Sequence, residues 1–363
     1  MRPYSPGKPA EEVRRELGVA AIKLASNENP FGPSPKAVEA MRAEAERAHL
    51  YPDASAFELK EALSRKFSVP TEQIAVGNGS DELIHLLGLI LLGEPGDEVI
   101  VGRPSFVRYD ATAEVAACKL IAVPLDERFT HDLTAMARHV SARTKIVFIA
   151  NPNNPTGTIV TRAELDAFLR DVPDEVAVVL DEAYYEYAAG DSDYPDSRSY
   201  VLEGRENLIG LRTFSKAYGL AGMRLGYGFM PAFFREAVEA VREPFSVNRA
   251  ALAAGVAALA DDEHVRRTVD HTVRAIQDIS AAVAECGGRA VPARANFVLA
   301  DFGRPARPIF EAMMRDGVIV RDGAAIGAPH CLRITVGTEE ENGRCIEALR
   351  RAVAGTAVRG GAA

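Results

Sequence analysis

Short apolar runs alternate with helical stretches between residues 73 and 213, and this alternation limits the folds open to the chain. The runs 146–150 and 176–180 are apolar throughout. Strands covered by helices on both faces of a parallel sheet have this composition. Further strands are predicted at 73–76, 98–101, 120–123 and 208–211. Helical stretches such as 162–170 supply crossover connections, so we expect an α/β fold with a mostly parallel sheet flanked by helices.

The chain of 363 residues is long enough for two domains. We assign 31–245 to a large α/β domain and 246–363 to a smaller α+β domain, with the break near Pro244. Residues 1–30 form an N-terminal arm that we associate with the smaller domain. The glycine-rich end from Val358 onward is expected to be disordered.

Composition and charge narrow the classes of partner. The chain is 47% hydrophobic and carries a formal net charge of -9, which disfavours nucleic acid and anionic membranes as partners. The most apolar stretch, 83–92, is too short to span a bilayer, and no signal-peptide core is visible at the N-terminus. The four cysteines form no Cys-x-x-Cys pair. We therefore expect a cytoplasmic protein with free thiols and no metal site.

Lys216 follows the predicted strand 208–211 and lies among apolar residues such as Phe214 and Ala217. Most lysines are solvated, but apolar surroundings disfavour the charged form. A neutral amine can attack a carbonyl and form a Schiff base. Arg224, a few residues later, offers a fork of donors for an anion. A lysine for an aldehyde and an arginine for a phosphate together indicate pyridoxal phosphate.

Polar groups follow three other predicted strands, at the edge where ligands of open α/β sheets collect. Asp181 comes directly after 176–180, and a carboxylate there needs a cation, which a structural arginine would equally provide. Asn154 follows 146–150 within two Asn-Pro turns, which have a structural role in any case.

The turn Gly79-Ser80-Asp81 offers backbone N–H groups at a helix N-terminus, which suits a phosphate. The alternative is that Ser80 or Asp81 merely caps the helix. The turn is not a dinucleotide fingerprint, because Glu82 stands where the last glycine would be required.

The chemistry-bearing segments, taken in order, resemble the fold-type-I pyridoxal-phosphate aminotransferases, and most closely the histidinol-phosphate aminotransferase branch. The resemblance covers nearly the whole chain. Its motifs are Leu24 to Pro30, Tyr51-Pro52-Asp53, Gly79 to Glu82, Asn151 to Gly157, Asp181 to Tyr184, Ser215-Lys216 to Arg224, and Cys331 to Gly337.

The resemblance implies a role for each matching residue toward the cofactor. Lys216 would hold the cofactor and move the proton, and Asp181 would pair with the pyridine nitrogen. Asn154 and Tyr184 would bind the phenolic oxygen of the ring, and Phe106 would stack on the ring where many relatives have tyrosine. The phosphate would be bound by Gly79, Ser80, Asp81, Ser215, Arg224 and, from the partner subunit, Tyr51.

For the substrate, the resemblance implies that Arg333 binds the anionic group. Arg321, which ends a short apolar run, is a candidate for a second positive charge, with a surface salt bridge as the alternative.

The expected function is amino transfer from histidinol phosphate to 2-oxoglutarate by a homodimer with shared active sites. An aromatic amino-acid aminotransferase is the main alternative, favoured slightly by Phe106. A phospho-amino-acid decarboxylase would use the same Lys216 and Asp181. A cofactor-binding regulatory module would need an added DNA-binding segment, yet family-like sequence begins by Lys23 and the chain is acidic.

Overall fold

A computed structural model describes residues 11–12, 15 and 18–360. Its largest sheet has seven strands in the order β2-β8-β7-β6-β5-β3-β4. Neighbouring strands in this sheet run parallel except on either side of β8. The strands are β1 (Ile22–Lys23), β2 (Ile74–Gly77), β3 (Glu98–Arg103), β4 (Lys119–Pro124), β5 (Thr144–Ala150), β6 (Ala177–Asp181), β7 (Leu208–Thr213), β8 (Gly226–Phe229), β9 (Arg289–Ala290), β10 (Phe297–Asp301), β11 (Val318–Ile319), β12 (Arg321–Asp322) and β13 (Cys331–Thr335).

Helices cover both faces of this sheet and continue beyond it. No helix among the described residues is long and apolar enough to cross a membrane. From residue 35 onward they are α1 (Pro35–Ala45), α2 (Phe57–Phe67), α3 (Ser80–Leu91), α4 (Arg108–Val115), α5 (Leu133–Arg138), α6 (Arg162–Asp171), α7 (Tyr185–Ala188), α8 (Ser197–Leu202), α9 (Ala232–Val241), α10 (Arg249–Leu259), α11 (Asp262–Glu285), α12 (Arg307–Arg315) and α13 (Glu339–Gly360).

The central strands are buried on both faces, as their continuous apolar sequence predicts. Along β5, Val147 and Ile149 enter the core on one side of the sheet, while Ile146 and Phe148 enter the core on the other side. Successive side chains of a strand point to opposite faces, so a strand between two helical layers needs apolar residues at every position. The predicted α/β fold with a mostly parallel, helix-flanked sheet is confirmed.

A smaller antiparallel sheet forms a second unit. Its order is β12-β13-β10-β9, and α11, α12 and α13 pack around it on a separate core. The strand β1 of the N-terminal arm pairs in parallel with β11 of this unit, with Ile22 beside Val318. Residues 1–10, 13–14 and 16–17 of the arm lie outside the described residues.

The helix α10 begins after the predicted boundary at 245/246, and its buried residues Ala251, Ala254 and Ala258 belong to the same core as Leu59 of α2. Alanine side chains are small enough to let helices approach closely, and composition alone does not reveal which unit they face. The arrangement places α10 with the large unit.

The last helix, α13, reaches Gly360 in the described part of the chain. The expected disorder from Val358 onward stays a prediction. Residues 361–363 lie outside the described part of the chain. Glycine lowers helix propensity without forbidding the helix, and the preceding turns carry the α13 conformation forward.

One strand of the large sheet escaped sequence analysis because two of its four residues are glycine. The strand β8 lies antiparallel between β2 and β7. At Gly226 a Cβ would stand 2.3 Å from the Ser80 backbone nitrogen and 2.5 Å from the Gly79 carbonyl carbon. Only glycine lets β8 pass this close to the turn that begins α3.

We expect Gly226→Ala to lower the free energy of unfolding by about 1–3 kcal/mol, because the added methyl group meets backbone atoms that cannot rotate away. Thermal unfolding measures the effect. Gly93→Ala is the control, since nothing lies within 4 Å of the added Cβ there and its φ is not positive. Equal melting temperatures for the two variants would refute the close approach.

Candidate active site

Lys216 lies three residues beyond the end of β7, in a turn closed by a hydrogen bond from the Gly219 N–H to the Lys216 carbonyl. Its side chain reaches toward the N-terminal segment, with Nζ 3.5 Å from the Ser26 carbonyl oxygen and 5.7 Å from the Tyr184 ring centroid. Burial, and after it the nearby Arg333 guanidinium, together lower the pKa of this amine to about 8. The neutral, nucleophilic form of Lys216 is therefore more populated near neutral pH than that of an ordinary lysine.

Asp181 ends β6 and is 3% exposed. One carboxylate oxygen accepts a 2.7 Å hydrogen bond from the Tyr109 hydroxyl, and the other accepts one from the Ala183 N–H. Among the described residues, no lysine or arginine forms an ion pair with it. The arginine expected as a structural alternative binds the next residue instead, because Arg212 pairs with Glu182 at 2.8 Å.

Burial raises the pKa of Asp181 to about 6, and the Tyr109 hydrogen bond acts in the opposite direction. A buried carboxylate supported only by neutral donors is costly unless a cation joins it. This side chain therefore fits a cationic ligand group at the cavity wall.

The predicted phosphate residues come together at the start of α3. Gly79 has a φ of 76°, and a Cβ there would lie 2.6 Å from Nη2 of Arg224. The Arg224 guanidinium donates to the Asp81 carboxylate at 3.2 Å and to the Ser215 hydroxyl at 3.4 Å. Backbone N–H groups of this helix N-terminus, an arginine and a serine hydroxyl form a cradle suited to an anion.

Nine of the eleven cofactor residues predicted from sequence line one cavity, all except Gly79 and Tyr51. Phe106 lies edge-on to Tyr109, with ring centroids 5.7 Å apart, and Tyr109 stacks on Phe148 at 4.6 Å. The loops carrying Phe106 and Asn154 are joined by the Asn153 side chain, which accepts from the Ser105 hydroxyl and donates to the Pro104 carbonyl. The polar and aromatic residues that line the cavity are Ser80, Asp81, Phe106, Tyr109, Asn154, Asp181, Tyr184, Thr213, Ser215, Lys216 and Arg224.

Arg333 and Arg321 belong to the smaller unit, on β13 and β12. The guanidinium of Arg333 donates to the Asn154 side-chain oxygen and to the Ala25 carbonyl, each at 2.6 Å. Arg321 lies directly opposite Arg333 in the β12–β13 ladder, and both residues are buried. Because directly opposite residues of antiparallel strands share a face, the two cationic side chains leave the sheet together.

Tyr51 is not brought to this cavity within one chain. It is 79% exposed and stacks on Phe245, with centroids 4.7 Å apart. Leu50 and Phe57 are exposed near it in sequence. An exposed aromatic patch of this kind marks an interaction surface.

Sequence reasoning missed two residues of the site, Tyr109 and Asn27. Tyr109 is three residues after Phe106, so an aromatic repeat at helical spacing was the available signal. Asn27 donates a 2.8 Å hydrogen bond to the Tyr184 hydroxyl from a position within the Asn-rich segment before Pro30. Nothing in the segment distinguishes a turn-forming asparagine from one that contacts the site.

Comparison with known proteins shows the family to which the chain belongs. Residues 19–349 match the family described as Aminotransferase class I and II. The histidinol-phosphate aminotransferase of Moorella thermoacetica is 48% identical over 356 residues, covering 98% of this chain and 91% of that protein. The protein of the same name from an Anaeromyxobacter species is also 48% identical, covering 97% of this chain and 96% of that protein.

Solved structures share the fold. The Sinorhizobium meliloti histidinol-phosphate aminotransferase, in complex with pyridoxal-5′-phosphate, superposes with a TM-score of 0.90 at 30% identity, covering 97% of this chain and 96% of that one. The L-threonine-O-3-phosphate decarboxylase of Porphyromonas gingivalis has a TM-score of 0.78 at 22% identity, covering 91% and 98%, and this likeness concerns the fold alone.

Proposed function

The chain belongs to the class I and II aminotransferases, and we propose that it transfers the amino group of histidinol phosphate to 2-oxoglutarate. The relatives that carry the histidinol-phosphate aminotransferase name match it along nearly its whole length. The reaction needs a nucleophilic amine, a group that stabilises a pyridinium, and a site for an anionic substrate, and the cavity offers a residue for each.

The cofactor is pyridoxal 5′-phosphate, which when bound withdraws electrons from the substrate's Cα–H bond. The site fits it in two respects. Asp181 is a buried carboxylate whose polar partners are a phenol and an N–H, so a protonated ring nitrogen supplies the missing cation. The cradle at Gly79 and Arg224 has the close backbone approach and the donors that a phosphate requires.

The remaining assignments give each side chain one task. Lys216 binds the cofactor through Nζ and, once released, moves a proton at the substrate's Cα as general base and acid. Asn154 and Tyr184 would hold the phenolic oxygen of the bound cofactor, and Phe106 would cover one face of its ring. Ser80, Asp81 and Ser215 complete the phosphate end of the cavity, next to Arg224.

The observation that carries the substrate proposal is the pairing of Arg321 with Arg333. Arg321 and Arg333 lie directly opposite each other on neighbouring strands and are both buried, so this face of the smaller sheet carries two positive charges that suit an anionic ligand. Histidinol phosphate has no carboxylate, and its phosphate dianion must occupy the place that the α-carboxylate of glutamate fills in the other half-reaction. Arg333 serves both anions as a fork of donors, and Arg321 adds the second charge for the phosphate.

An aromatic amino acid is the second candidate donor. Phe106 lacks the hydroxyl that tyrosine would offer, which makes this wall of the cavity more apolar. A phospho-amino-acid decarboxylase has the same fold, and measuring CO₂ release against amino transfer separates that reaction from ours.

We expect kcat/KM for histidinol phosphate to exceed that for phenylalanine by at least about tenfold, with 2-oxoglutarate as acceptor. A factor of ten is only about 1.4 kcal/mol of transition-state binding, less than one charged hydrogen bond supplies. Steady-state kinetics on one enzyme preparation measures both donors. Arg321→Gln should reduce the histidinol phosphate value and leave that for phenylalanine nearly unchanged, while Lys216→Ala should abolish both reactions.

A preference for phenylalanine would overturn the substrate assignment and keep the reaction class. CO₂ release without amino transfer would overturn the reaction class as well.

We further propose a two-fold symmetric homodimer in which Tyr51 reaches the phosphate of the partner's cofactor. Tyr51 is exposed on its own protomer and lies beside other exposed apolar side chains. Cyclic dimers are the commonest closed assembly, and a self-complementary patch buries such residues on both copies. The site of one chain is incomplete without the second chain.

Mixing two inactive variants tests the shared site. Tyr51→Asp places a negative charge against the phosphate, and its exposed position leaves the protomer fold intact. Lys216→Ala removes the nucleophile. After subunit exchange, half of the dimers are mixed and each has one complete site, so activity should return to about one quarter of wild type. Each variant alone is the control, and no recovery on mixing would show that Tyr51 acts within its own chain or not at all.

A further inference from the structure

The segment 25–29 crosses the lysine side of the cavity, and Asn27 connects it to the tyrosine assigned to the cofactor. Asn27 is 1% exposed, and its Nδ2 donates to the Tyr184 hydroxyl oxygen at 2.8 Å. The carbonyl of the preceding Ser26 lies 3.5 Å from Nζ of Lys216. Asn27 has a φ of 55°, in the left-handed region that asparagine, aspartate and glycine tolerate best.

Thr335 sets the orientation of the Asn27 amide. The Asn27 backbone N–H donates to Thr335 Oγ1 at 3.1 Å, so the hydroxyl acts as acceptor in that bond. Thr335 is buried, and its own hydrogen is donated to Asn27 Oδ1 at 2.8 Å. With Oδ1 facing Thr335, the amide must present its NH₂ group to Tyr184.

The direction of the hydrogen bond from Asn27 determines where the Tyr184 hydroxyl can donate its own hydrogen. Its oxygen accepts from Asn27, so its own hydrogen points away from Asn27. Tyr184, Lys216 and Asn154 line the same cavity. We propose that Asn27 is a positioning residue whose amide, held by Thr335, orients the Tyr184 hydroxyl to donate to the phenolic oxygen of pyridoxal phosphate. This inference rests on the proposed cofactor site and not on the identity of the substrate.

The same strand places the substrate arginine and the orienting threonine. Arg333 and Thr335 are two residues apart on β13 and therefore share a face. Arg333 donates to the Ala25 carbonyl while Thr335 binds Asn27, so β13 fixes the segment at both points. The anion site and the hydrogen-bond direction at the cofactor thus depend on one element of the smaller unit.

Asn27→Asp and Asn27→Gly distinguish an orienting role of Asn27 from a packing role. Both aspartate and glycine tolerate the positive φ at this position, so neither change strains the backbone. Asn27→Asp keeps the shape but has only acceptors when ionised, so Tyr184 would donate to it and turn away from the cofactor. Asn27→Gly removes the side chain and leaves the Tyr184 hydrogen free to reach the cofactor. If Asn27 orients the Tyr184 hydroxyl, Asn27→Asp should be the more damaging substitution. If Asn27 only fills space, Asn27→Gly should be the more damaging one.

The readout is the pH at which the protein-bound cofactor loses its proton, followed by the absorbance of the holoenzyme without substrate. A donor at the phenolic oxygen stabilises the deprotonated form, so losing it raises the midpoint. We expect Asn27→Asp and Tyr184→Phe each to raise the midpoint by about one pH unit, since a hydrogen bond to a charged group is comparable to one unit. Asn27→Gly should raise it by less than half as much.

The double variant with Tyr184→Phe controls for the added charge. If orientation is the cause, Asn27→Asp has little further effect when the hydroxyl is absent. A shift of full size in that background, or a larger shift for Asn27→Gly than for Asn27→Asp, would overturn the proposal.

Changes at Thr335 provide a test that leaves Asn27 in place. Thr335→Val removes the hydroxyl on a strand position that valine suits, and should raise the midpoint by releasing the amide. Thr335→Ser keeps the hydroxyl and should leave the midpoint unchanged. Equal midpoints for the valine and serine variants would also contradict the proposal, whereas a protein that binds no cofactor at all would contradict the proposed function instead.

Discussion

The parallel pairing of β5, β6 and β7 is the constraint on which the site depends. Ala150 lies beside Asp181, and Asp181 lies beside Leu211, so the three strands end at one edge. The loop after β5, the carboxylate of β6 and the turn holding Lys216 therefore leave the sheet together. The antiparallel β8 then returns the chain so that Arg224, just before it, meets the start of α3. Side chains that are distant in sequence converge because strand pairing brings the ends of their strands to one edge of the sheet.

The two consecutive acids Asp181 and Glu182 at the end of β6 have different surroundings. Glu182 is fully buried and pairs with Arg212, which also binds Asp196 and lies 3.3 Å over the Tyr185 ring. Glu182 therefore has its cationic partner within the chain. Asp181 instead has the Tyr109 hydroxyl and a backbone N–H, and burial raises its pKa to about 6. Asp181, which has no ion-pair partner among the described residues, is the acid that lines the cavity.

Sequence analysis located the groups that lie at the end of a strand or within four residues after it, because parallel strands end at one edge of the sheet. Lys216, Asp181 and Asn154 all follow this rule, and all line the cavity. It did not locate Tyr109 or Asn27, whose partners lie 72 and 157 positions away in the chain. Such contacts depend on helix packing and on the path of the N-terminal segment, for which no local pattern exists. The core that α10 joins is likewise not readable from its sequence, since an alanine-rich helix can pack against either unit.

The central claim is that burial and neighbouring cations lower the pKa of Lys216 to about 8, so that its uncharged, nucleophilic form is accessible near neutral pH. The most direct measurement is the rate at which the cofactor-free protein captures pyridoxal phosphate as a function of pH, with Lys216→Ala as the control. The rate follows the neutral fraction of the amine, so we predict a midpoint near pH 8, the value to which burial lowers the pKa of Lys216. A rate that keeps rising toward about pH 10.4, the ordinary value for lysine, would contradict the account.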